Sequence, residues 1–153
     1  MTEMQITNSF GTKLAVHIRM GDEADKQRLK EKNPHLKNLV WEGGYLILAQ
    51  IEDTIVGYLW AFQREIPAPV EASELFINIV EIIYSDLRCQ GLGSRMVQRC
   101  LEIAREESVY QVRAYCDIGN VPSHRLWLKN KFSISPVKHL DGSITGSFVT
   151  LVL

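Results

Sequence analysis

The feature that most limits what this chain can fold into is a buried strand that runs directly into a glycine-containing turn and an amphipathic helix. Residues Leu75–Tyr84 are apolar apart from Asn78 and Glu81, as in a central strand that is covered on both faces. The turn Arg88–Ser94 follows, and a helix is predicted from about Gly91 to Ser108. The apolar positions of that helix form one stripe: Leu92, Met96, Val97, Cys100, Leu101 and Ala104. A strand and a helix joined in this way indicate an α/β domain.

Strand-like and helix-like segments alternate along the rest of the chain, with no internal repeat and no linker. Alternating apolar residues predict a first strand at Leu14–Ile18, and Asp22–Lys32 is predicted to be a helix that stops before Asn33-Pro34. The other predicted elements are a helical turn around Leu36–Trp41, strands at Tyr45–Ile51 and Ile55–Phe62, a loop at Ile66–Ser73, a strand at Gln111–Cys116, a helix at Val121–Asn130, and a hairpin of Val137–Leu140 with Phe148–Leu153. This order predicts one domain over residues 1–153, a mixed sheet with helices on both faces.

Charge balance and cysteine content exclude several classes of protein. The 153-residue chain has 17 basic and 18 acidic residues, so it presents no strongly cationic surface for nucleic acid or an anionic membrane. No apolar run approaches the ~20 residues that span a bilayer, and the first residues lack a signal-peptide pattern. The three cysteines, Cys89, Cys100 and Cys116, have neither disulfide-framework nor zinc-site spacing. We therefore expect a reduced, cytoplasmic protein without a bound metal.

The turn Arg88–Ser94 is predicted to bind a phosphate group. Gly91 and Gly93 let the backbone turn sharply and approach a ligand closely, and the first N–H groups of the helix have no partners within it. The helix dipole places partial positive charge there, and Arg88 and Arg95 add more. The alternative is a plain strand-to-helix turn. Neither nucleotide-binding pattern fits, since Met96 occupies the third glycine position of the dinucleotide motif and a Walker GK[ST] is missing.

Two motifs in this half of the chain resemble those of the GNAT superfamily of N-acetyltransferases. Arg88–Gly93 matches the pattern Q/R-x-x-G-x-G/A on the turn after the fourth strand of that family. Asn120–Arg125, with Lys129 and Phe132, matches N-x-x-S-x-R-x-x-x-K-x-G-F, except that Lys131 replaces the glycine. The resemblance covers residues 75–132 and implies a GNAT-like α/β fold: a central, mostly antiparallel sheet with helices on both faces.

The resemblance implies that acetyl-CoA binds at this turn as a co-substrate. Backbone N–H groups of the turn would hold the pyrophosphate, and the strand edge at Glu81–Ile83 would pair with the pantetheine arm. An N–H near Ile83 would polarise the thioester carbonyl, Asn120 would contact pantetheine, and Ser123 would lie close to the cofactor. The implied cofactor-binding residues are Glu81, Ile82, Ile83, Arg88, Cys89, Gln90, Gly91, Leu92, Gly93, Ser94, Asn120 and Ser123.

The implied reaction is transfer of an acetyl group to a primary amine by direct attack in a ternary complex. Glu81 is the candidate base, because a carboxylate that shares a strand face with Ile77, Ile79 and Ile83 would be partly desolvated. The alternative is that Glu81 pairs with a neighbouring arginine such as Arg113. Tyr115 could donate or relay a proton, although a tyrosine at the end of a strand more often belongs to the core or the rim.

One departure from the motif keeps a second function open. Trp127 stands where many family members carry a tyrosine general acid, and an indole cannot donate a catalytic proton. The alternative function is a non-catalytic acyl-CoA-binding or sensing module, and a site for a different phosphate ligand is a third. The acceptor would be a small-molecule or peptide amine, and the strand Phe148–Leu153 could pair across a homodimer edge. Four aromatic residues could wall the acceptor pocket or pack in the core: Trp41, Tyr45, Tyr58 and Trp60.

Overall fold

A computed structural model describes residues 2–39 and 42–153, and within these ranges the chain forms an eight-stranded sheet with three α-helices. The strands are β1 (Thr2–Thr7), β2 (Lys13–Met20), β3 (Gly44–Ile51), β4 (Thr54–Ile66), β5 (Ala72–Ile82), β6 (Gln111–Asp117), β7 (Ser133–Lys138) and β8 (Ile144–Val152). The helices are α1 (Glu23–Lys32), α2 (Leu92–Glu106) and α3 (Val121–Lys129), with a 3-10 turn at Pro34–Leu36.

The strands lie in the order β1-β2-β3-β4-β5-β6-β8-β7. In the described ranges, β5–β6 is the one parallel pair, and the other neighbouring strands are antiparallel. Helix α1 packs on one face of this sheet, and α2 and α3 pack on the other. The predicted class is confirmed: a mixed α/β fold with a mostly antiparallel sheet and helices on both faces.

Helix α1 is held at its start by a reciprocal cap. The Asp22 carboxylate accepts the Asp25 N–H at 2.9 Å, and the Asp25 carboxylate accepts the Asp22 N–H at 2.9 Å. Arg19 of β2 donates to both oxygens of Asp25, at 2.7 and 2.9 Å, which ties the helix to the sheet. Leu29 and Leu36 are buried on this side, so the turn after α1 is fixed close to β4 and β5.

Helices α2 and α3 form the larger core with the opposite face of the sheet. The apolar stripe of α2 is buried as predicted: Leu92, Met96, Val97, Cys100, Leu101 and Ala104. From α3, Trp127 is buried and packs against Phe132, with ring centroids 5.0 Å apart. Each fully buried large side chain contributes about 1.5–3 kcal/mol to this core, so α2 is the element that holds the turn before it in place.

One extra residue in β5, Asn78, forms a bulge. In the ladder with β4, Ile77 pairs with Ala61 and Ile79 pairs with Trp60, so Asn78 has no opposite residue. Ile77 belongs to the core under α2, whereas Ile79 packs on the α1 side. Two residues that strict alternation would place on the same face therefore lie on opposite faces.

The bulge sets the orientation of the end of β5. Val80 and Ile82 pack on the core under α2, and Glu81 faces the α1 side. The expectation that Glu81 shares a face with Ile77, Ile79 and Ile83 thus holds for Ile79 and Ile83 and is wrong for Ile77, which precedes the inserted residue.

The first strand, β1, was not predicted from the sequence. In Thr2–Thr7 the apolar residues Met4 and Ile6 alternate with polar ones, but two apolar positions in a short edge strand give a weak signal. The loop predicted at Ile66–Ser73 is shorter, because β4 continues to Ile66 and β5 begins at Ala72.

The remaining elements match the predicted ones to within a few residues at their ends, except that the strand predicted at Val137–Leu140 lies earlier, at Ser133–Lys138. The predicted turn around Leu36–Trp41 is a 3-10 turn at its start, and Val40 and Trp41 lie outside the described residues. Within the described ranges, no helix combines the length and apolarity needed to cross a bilayer.

Candidate functional site

The parallel strands β5 and β6 separate and open a cleft at their carboxyl ends. They pair from Glu74 with Gln111 to Ile77 with Ala114, and then both continue without a further paired residue. The cleft has a volume of about 800 Å³, and its walls come from the ends of β5 and β6, the turn before α2, and α3.

The backbone of β5 presents polar groups to this cleft. The Ile83 N–H donates to the Val56 carbonyl at 2.9 Å, so it is used in the ladder with β4. Backbone groups alternate in direction along a strand, so those of Val80 and Ile82 point to the opposite edge. Arg88 Nε donates to the Ile82 carbonyl at 3.3 Å on that side. The N–H expected near Ile83 is therefore not that of Ile83 itself, and the adjacent N–H on the cleft side belongs to Ile82.

The turn before α2 forms one end of the cleft. Cys89 and Gly91 both adopt left-handed backbone conformations, with φ of 60° and 86°. Gly91 is the N-cap of α2 and has no side-chain cap, so the first N–H groups of the helix remain available to a ligand. A Cβ added at Gly93 would lie 3.5 Å from Leu126 and 4.0 Å from Val80, inside the cleft. Glycine at position 93 thus keeps this part of the cleft open.

Helix α3 forms the other wall and is positioned by polar contacts. Asn120 caps it by accepting the Ser123 N–H at 3.2 Å. The Trp127 indole N–H donates to the Ser123 hydroxyl at 3.0 Å, which leaves that hydroxyl's hydrogen for another acceptor. Asn130 donates to Ser94 at 3.1 Å and so ties the end of α3 to the start of α2.

A polar cluster of Tyr58, Glu81 and His35 lies on the α1 side of the cleft. The Tyr58 hydroxyl donates to a Glu81 carboxylate oxygen, and His35 Nε2 lies 3.2 Å from that oxygen and 3.3 Å from the Tyr58 hydroxyl. Burial, followed by the bond to Glu81, raises the pKa of Tyr58, so its hydroxyl stays protonated. The side chain of His35 is 54% exposed, so this cluster connects a buried hydroxyl to solvent.

Tyr115 lies across the cleft on β6. It is 40% exposed, its hydroxyl is 3.3 Å from the Thr145 hydroxyl, and its ring packs edge-on against Phe148 at 5.5 Å. Its neighbours Ala114 and Cys116 are buried under α2, so alternation places Tyr115 and Asp117 on the α1 side, like Glu81. The two strand ends therefore present a phenol and two carboxylates on one side of the cleft.

Charge is divided between the two sides. Of the described residues that line the cleft, the cationic ones are Arg88, Arg125 and Lys129, which belong to the turn before α2 and to α3. The acidic lining residues are Glu81 and Asp117, at the ends of the two strands. The helix side thus suits an anion and the α1 side a cation.

The structure brings together most of the residues implied to bind the cofactor. The following ones line the cleft: Glu81, Ile82, Arg88, Cys89, Gly91, Leu92, Gly93, Ser94, Asn120 and Ser123. The other two lie outside the lining: Ile83 packs on the α1 side, and the Gln90 side chain turns away to Thr7 and Asp86. Both candidate catalytic residues, Glu81 and Tyr115, are at the cleft.

The pairing of Glu81 with Arg113, considered as its structural alternative, does not occur. Arg113 donates to Glu74 at 2.8 Å, and Arg64 donates to the same oxygen at 3.0 Å. Gln111 donates to the other oxygen at 2.6 Å. Burial alone would raise the pKa of Glu74, but the bonds from Gln111, Arg113 and Arg64 outweigh it and lower the pKa.

The contacts of Tyr58 and His35 with Glu81 were not predicted from the sequence. Tyr58 was expected among aromatics that wall a pocket or fill the core, and its ring is fully buried. Tyr58 lies on β4 directly opposite Glu81. Its contact with Glu81 could be predicted only with the register of the β4–β5 ladder known. His35 is brought to Glu81 by the turn after α1, and a histidine in a polar segment gives no such indication.

Comparison with known proteins connects this geometry to one family. The model of the acetyltransferase (GNAT) family matches residues 17–132. Arabidopsis thaliana NAA60, solved in complex with a bisubstrate analogue, has 11% identity and a TM-score of 0.69, with 90% of this chain and 99% of that one covered. No curated protein matches the chain.

Two bacterial structures are also similar. Salmonella typhimurium yncA, a putative acetyltransferase solved with acetyl-CoA, has 18% identity and a TM-score of 0.69, covering 90% of this chain and 94% of that one. A ribosomal-protein-alanine N-acetyltransferase from Brucella melitensis has 23% identity and a TM-score of 0.65, covering 90% and 99%. In the described part of this chain, no cluster of metal-ligating side chains occurs.

Proposed function

Because the chain belongs to the GNAT family of acetyltransferases, we propose that it transfers the acetyl group of acetyl-CoA to a primary amine, with both substrates bound at once. The observation that carries this proposal is the cleft between β5 and β6, which has free helix N–H groups at one end and a carboxylate cluster on the α1 side. The similar proteins solved with acetyl-CoA and with a bisubstrate analogue support the choice of substrates.

The residues of the cleft fit the parts of acetyl-CoA. The N–H groups at the start of α2, with Arg88, suit the pyrophosphate. The outward backbone groups of Val80 and Ile82 suit the amide-containing pantetheine arm, which would pair like an added strand. Gly93 leaves room beside Leu126 for this arm. When bound, acetyl-CoA supplies an activated thioester, and the Ile82 N–H would donate to its carbonyl oxygen.

The α1 side of the cleft suits a cationic acceptor. An amine is protonated at neutral pH and must lose a proton before it can attack a carbonyl carbon. Glu81 would accept that proton, and His35, 3.2 Å away and largely exposed, would pass it to solvent. Tyr58 would hold the carboxylate in position with its hydroxyl hydrogen. Asp117 would add attraction for the positive charge of the incoming amine.

As the amine nitrogen bonds to the acetyl carbon, the C–S bond of the thioester would break, and Tyr115 would donate a proton to the CoA thiolate that leaves. Its hydroxyl lies across the cleft from Glu81 and is within 3.3 Å of the Thr145 hydroxyl, which can relay a proton. The Trp127 indole N–H is bonded to Ser123, so it would position α3 and not act as an acid. This division gives the two strand ends separate roles, with the base on β5 and the proton donor on β6.

A first experiment tests the cofactor. Melting of the purified protein is measured with acetyl-CoA, CoA, ATP and NAD, each in large excess over its dissociation constant. A ligand at 100 times that constant stabilises the fold by about 2.7 kcal/mol. We expect acetyl-CoA and CoA alone to raise the melting temperature. No rise with either CoA compound would contradict the proposal.

A second experiment tests the acceptor. The protein is incubated with acetyl-CoA and a panel of small amines and of peptides with free N-termini, and the products are identified by mass spectrometry. Acetylated amine that depends on Glu81 supports the enzyme. The second candidate function is an acyl-CoA-binding module, which the fixed, non-acidic Trp127 favours. Tight acetyl-CoA binding without any acetylated product would favour that module.

A further inference from the structure

We infer that the amino-terminal strand β1 is part of the cofactor site, because it positions the turn before α2 through the side chain of Gln90. Gln90 is here a positioning residue that acts on its neighbours in the turn. The inference rests on the proposed function for the identity of the ligand, but the contact itself does not depend on that ligand.

The turn needs support from outside. Gln90 lies between Cys89, with φ of 60°, and Gly91, with φ of 86°. A left-handed conformation is unfavourable for a residue with a Cβ such as Cys89, and it persists where surrounding contacts fix it. The direction of the N–H groups that follow depends on this conformation.

Gln90 supplies that support through both ends of its amide. Its Oε1 accepts the Thr7 N–H at 2.7 Å, and its Nε2 donates to the Asp86 carbonyl at 3.3 Å. The first bond joins Gln90 to the last residue of β1, which is far away in the chain. The second joins Gln90 to a residue just before the turn. The side chain thus connects the turn to the edge of the sheet.

A second residue of β1 lies beside the same turn. Met4 of β1 packs against the core under α2, and its Cε lies 3.9 Å from where a Cβ on Gly91 would be. On the other side, Arg88 bonds to the Ile82 carbonyl of β5. The turn is therefore held between the end of β1 and the end of β5, and its residues Gly91 and Gly93 line the cleft.

Two substitutions remove the polar contact from opposite ends. Gln90→Met keeps the length of the side chain without its amide. Thr7→Pro removes the backbone N–H together with the threonine side chain, at a position of the edge strand where that N–H bonds to Gln90 and lies outside the ladder with β2. Thr7→Ala is the matched control, because it removes the exposed side chain and keeps the N–H.

The first readout is hydrogen exchange without ligand. We expect the Arg88 and Arg95 amides, which are hydrogen-bonded on either side of the turn, to exchange faster in Gln90→Met and Thr7→Pro, while amides in the middle of α2 exchange as in the wild type. The second readout is calorimetric titration with CoA, where each variant should bind about fivefold more weakly, the loss expected for one hydrogen bond. The double variant should be no weaker than either single one, and Thr7→Ala should behave like the wild type.

The two readouts separate the possible failures. Unchanged exchange of the Arg88 and Arg95 amides in Gln90→Met would overturn the inference, as would equal acceleration throughout α2, since that is a general loss of stability. Faster exchange confined to the turn, in a protein whose wild type does not bind CoA, would uphold the role of Gln90 and contradict the proposed cofactor.

Discussion

Tyr58 and Glu81 face each other across the β4–β5 ladder, and the tyrosine hydroxyl donates its hydrogen to the carboxylate. Tyr58 is fully buried and Glu81 lines the cleft, so a hydroxyl in the protein interior holds the carboxylate in position. The raised pKa of Tyr58 keeps the hydroxyl a donor across the neutral and moderately alkaline range.

Substitution of Glu81 tests the base. Glu81→Gln keeps the shape and a hydrogen-bond acceptor but cannot take a proton. We expect turnover to fall by about 10²-fold or more, the usual contribution of a general base, with CoA affinity little changed. Tyr58→Phe, which removes only the hydroxyl, should lower turnover less. Wild-type turnover in Glu81→Gln would show that the proton leaves by another route.

Two glycine substitutions distinguish the need for space in the cleft from the need for a left-handed backbone conformation in the turn. Gly93→Ile should abolish CoA binding with little loss of stability, because the added side chain enters the cleft beside Leu126 and Val80. Gly91→Ala should instead lower the free energy of unfolding by about 1 kcal/mol, since alanine is strained at φ of 86°. Calorimetry and denaturant melts measure the two effects. CoA binding by Gly93→Ile would mean that the cofactor lies elsewhere.

Thiol labelling probes the same turn. Cys89 is exposed, whereas Cys100 and Cys116 are buried. Burial raises the pKa of Cys100 to about 12, so it carries almost no thiolate at pH 8. We expect the native protein to react quickly at Cys89 alone, and more slowly there once CoA is added. Cys89→Ser should lose the fast phase, and rapid labelling of Cys100 in the native state would contradict the structure.

Asp25 gives the fold an acid-sensitive contact. The bond from Arg19 lowers the pKa of Asp25 from 3.8 to about 2. Because the folded state has the lower pKa, the stabilisation is complete above pH 4 and is lost as the pH falls towards 2. It amounts to about 2 kcal/mol. Urea melts of Asp25→Asn should lack this pH dependence, whereas Glu23→Gln, at an exposed carboxylate of the same helix, should retain it.

Glu74 is a second buried carboxylate with a structural role. It is 1% exposed and accepts from Arg64 and Arg113, so removing it leaves two guanidinium groups without their acceptor. We expect Glu74→Ala to lower the free energy of unfolding by about 3 kcal/mol, the lower end of the range for a broken buried pair, because both arginines are partly exposed. If Glu74→Ala lowered the free energy of unfolding by no more than a surface substitution does, the result would contradict this role.

The sequence predicted the parts of the fold that depend on strong periodic signals. The buried strand, the turn and the amphipathic α2 are local patterns, and all three are where they were expected. The capped helix α1 also matched, because Asp22 and Asp25 form their cap within four residues. The edge strand β1 was missed because its stability comes from pairing with β2, which a local pattern does not contain.

The parts of the candidate site that are contiguous in the sequence could be predicted. The parts that depend on the register between strands could not. The turn Arg88–Ser94 and the cap at Asn120 are contiguous motifs. The partners of Glu81, by contrast, come from β4 and from the turn after α1, at distances in the chain that no motif spans. The bulge at Asn78 has no sequence signature here, so the face of Glu81 could not be worked out from alternation alone.

The bulge at Asn78 keeps the candidate base at the cleft by absorbing one residue that the ladder does not use. Deleting that one codon would leave Ile77 and Ile79 in regular alternation, so the Glu81 carboxylate would remain opposite Tyr58 on the α1 side. If Asn78 entered the ladder instead, every later residue of β5 would change faces, and Glu81 would enter the apolar layer under α2. Burial of a carboxylate there would oppose that slip, so the side chain proposed for the chemistry also protects the register of its own strand.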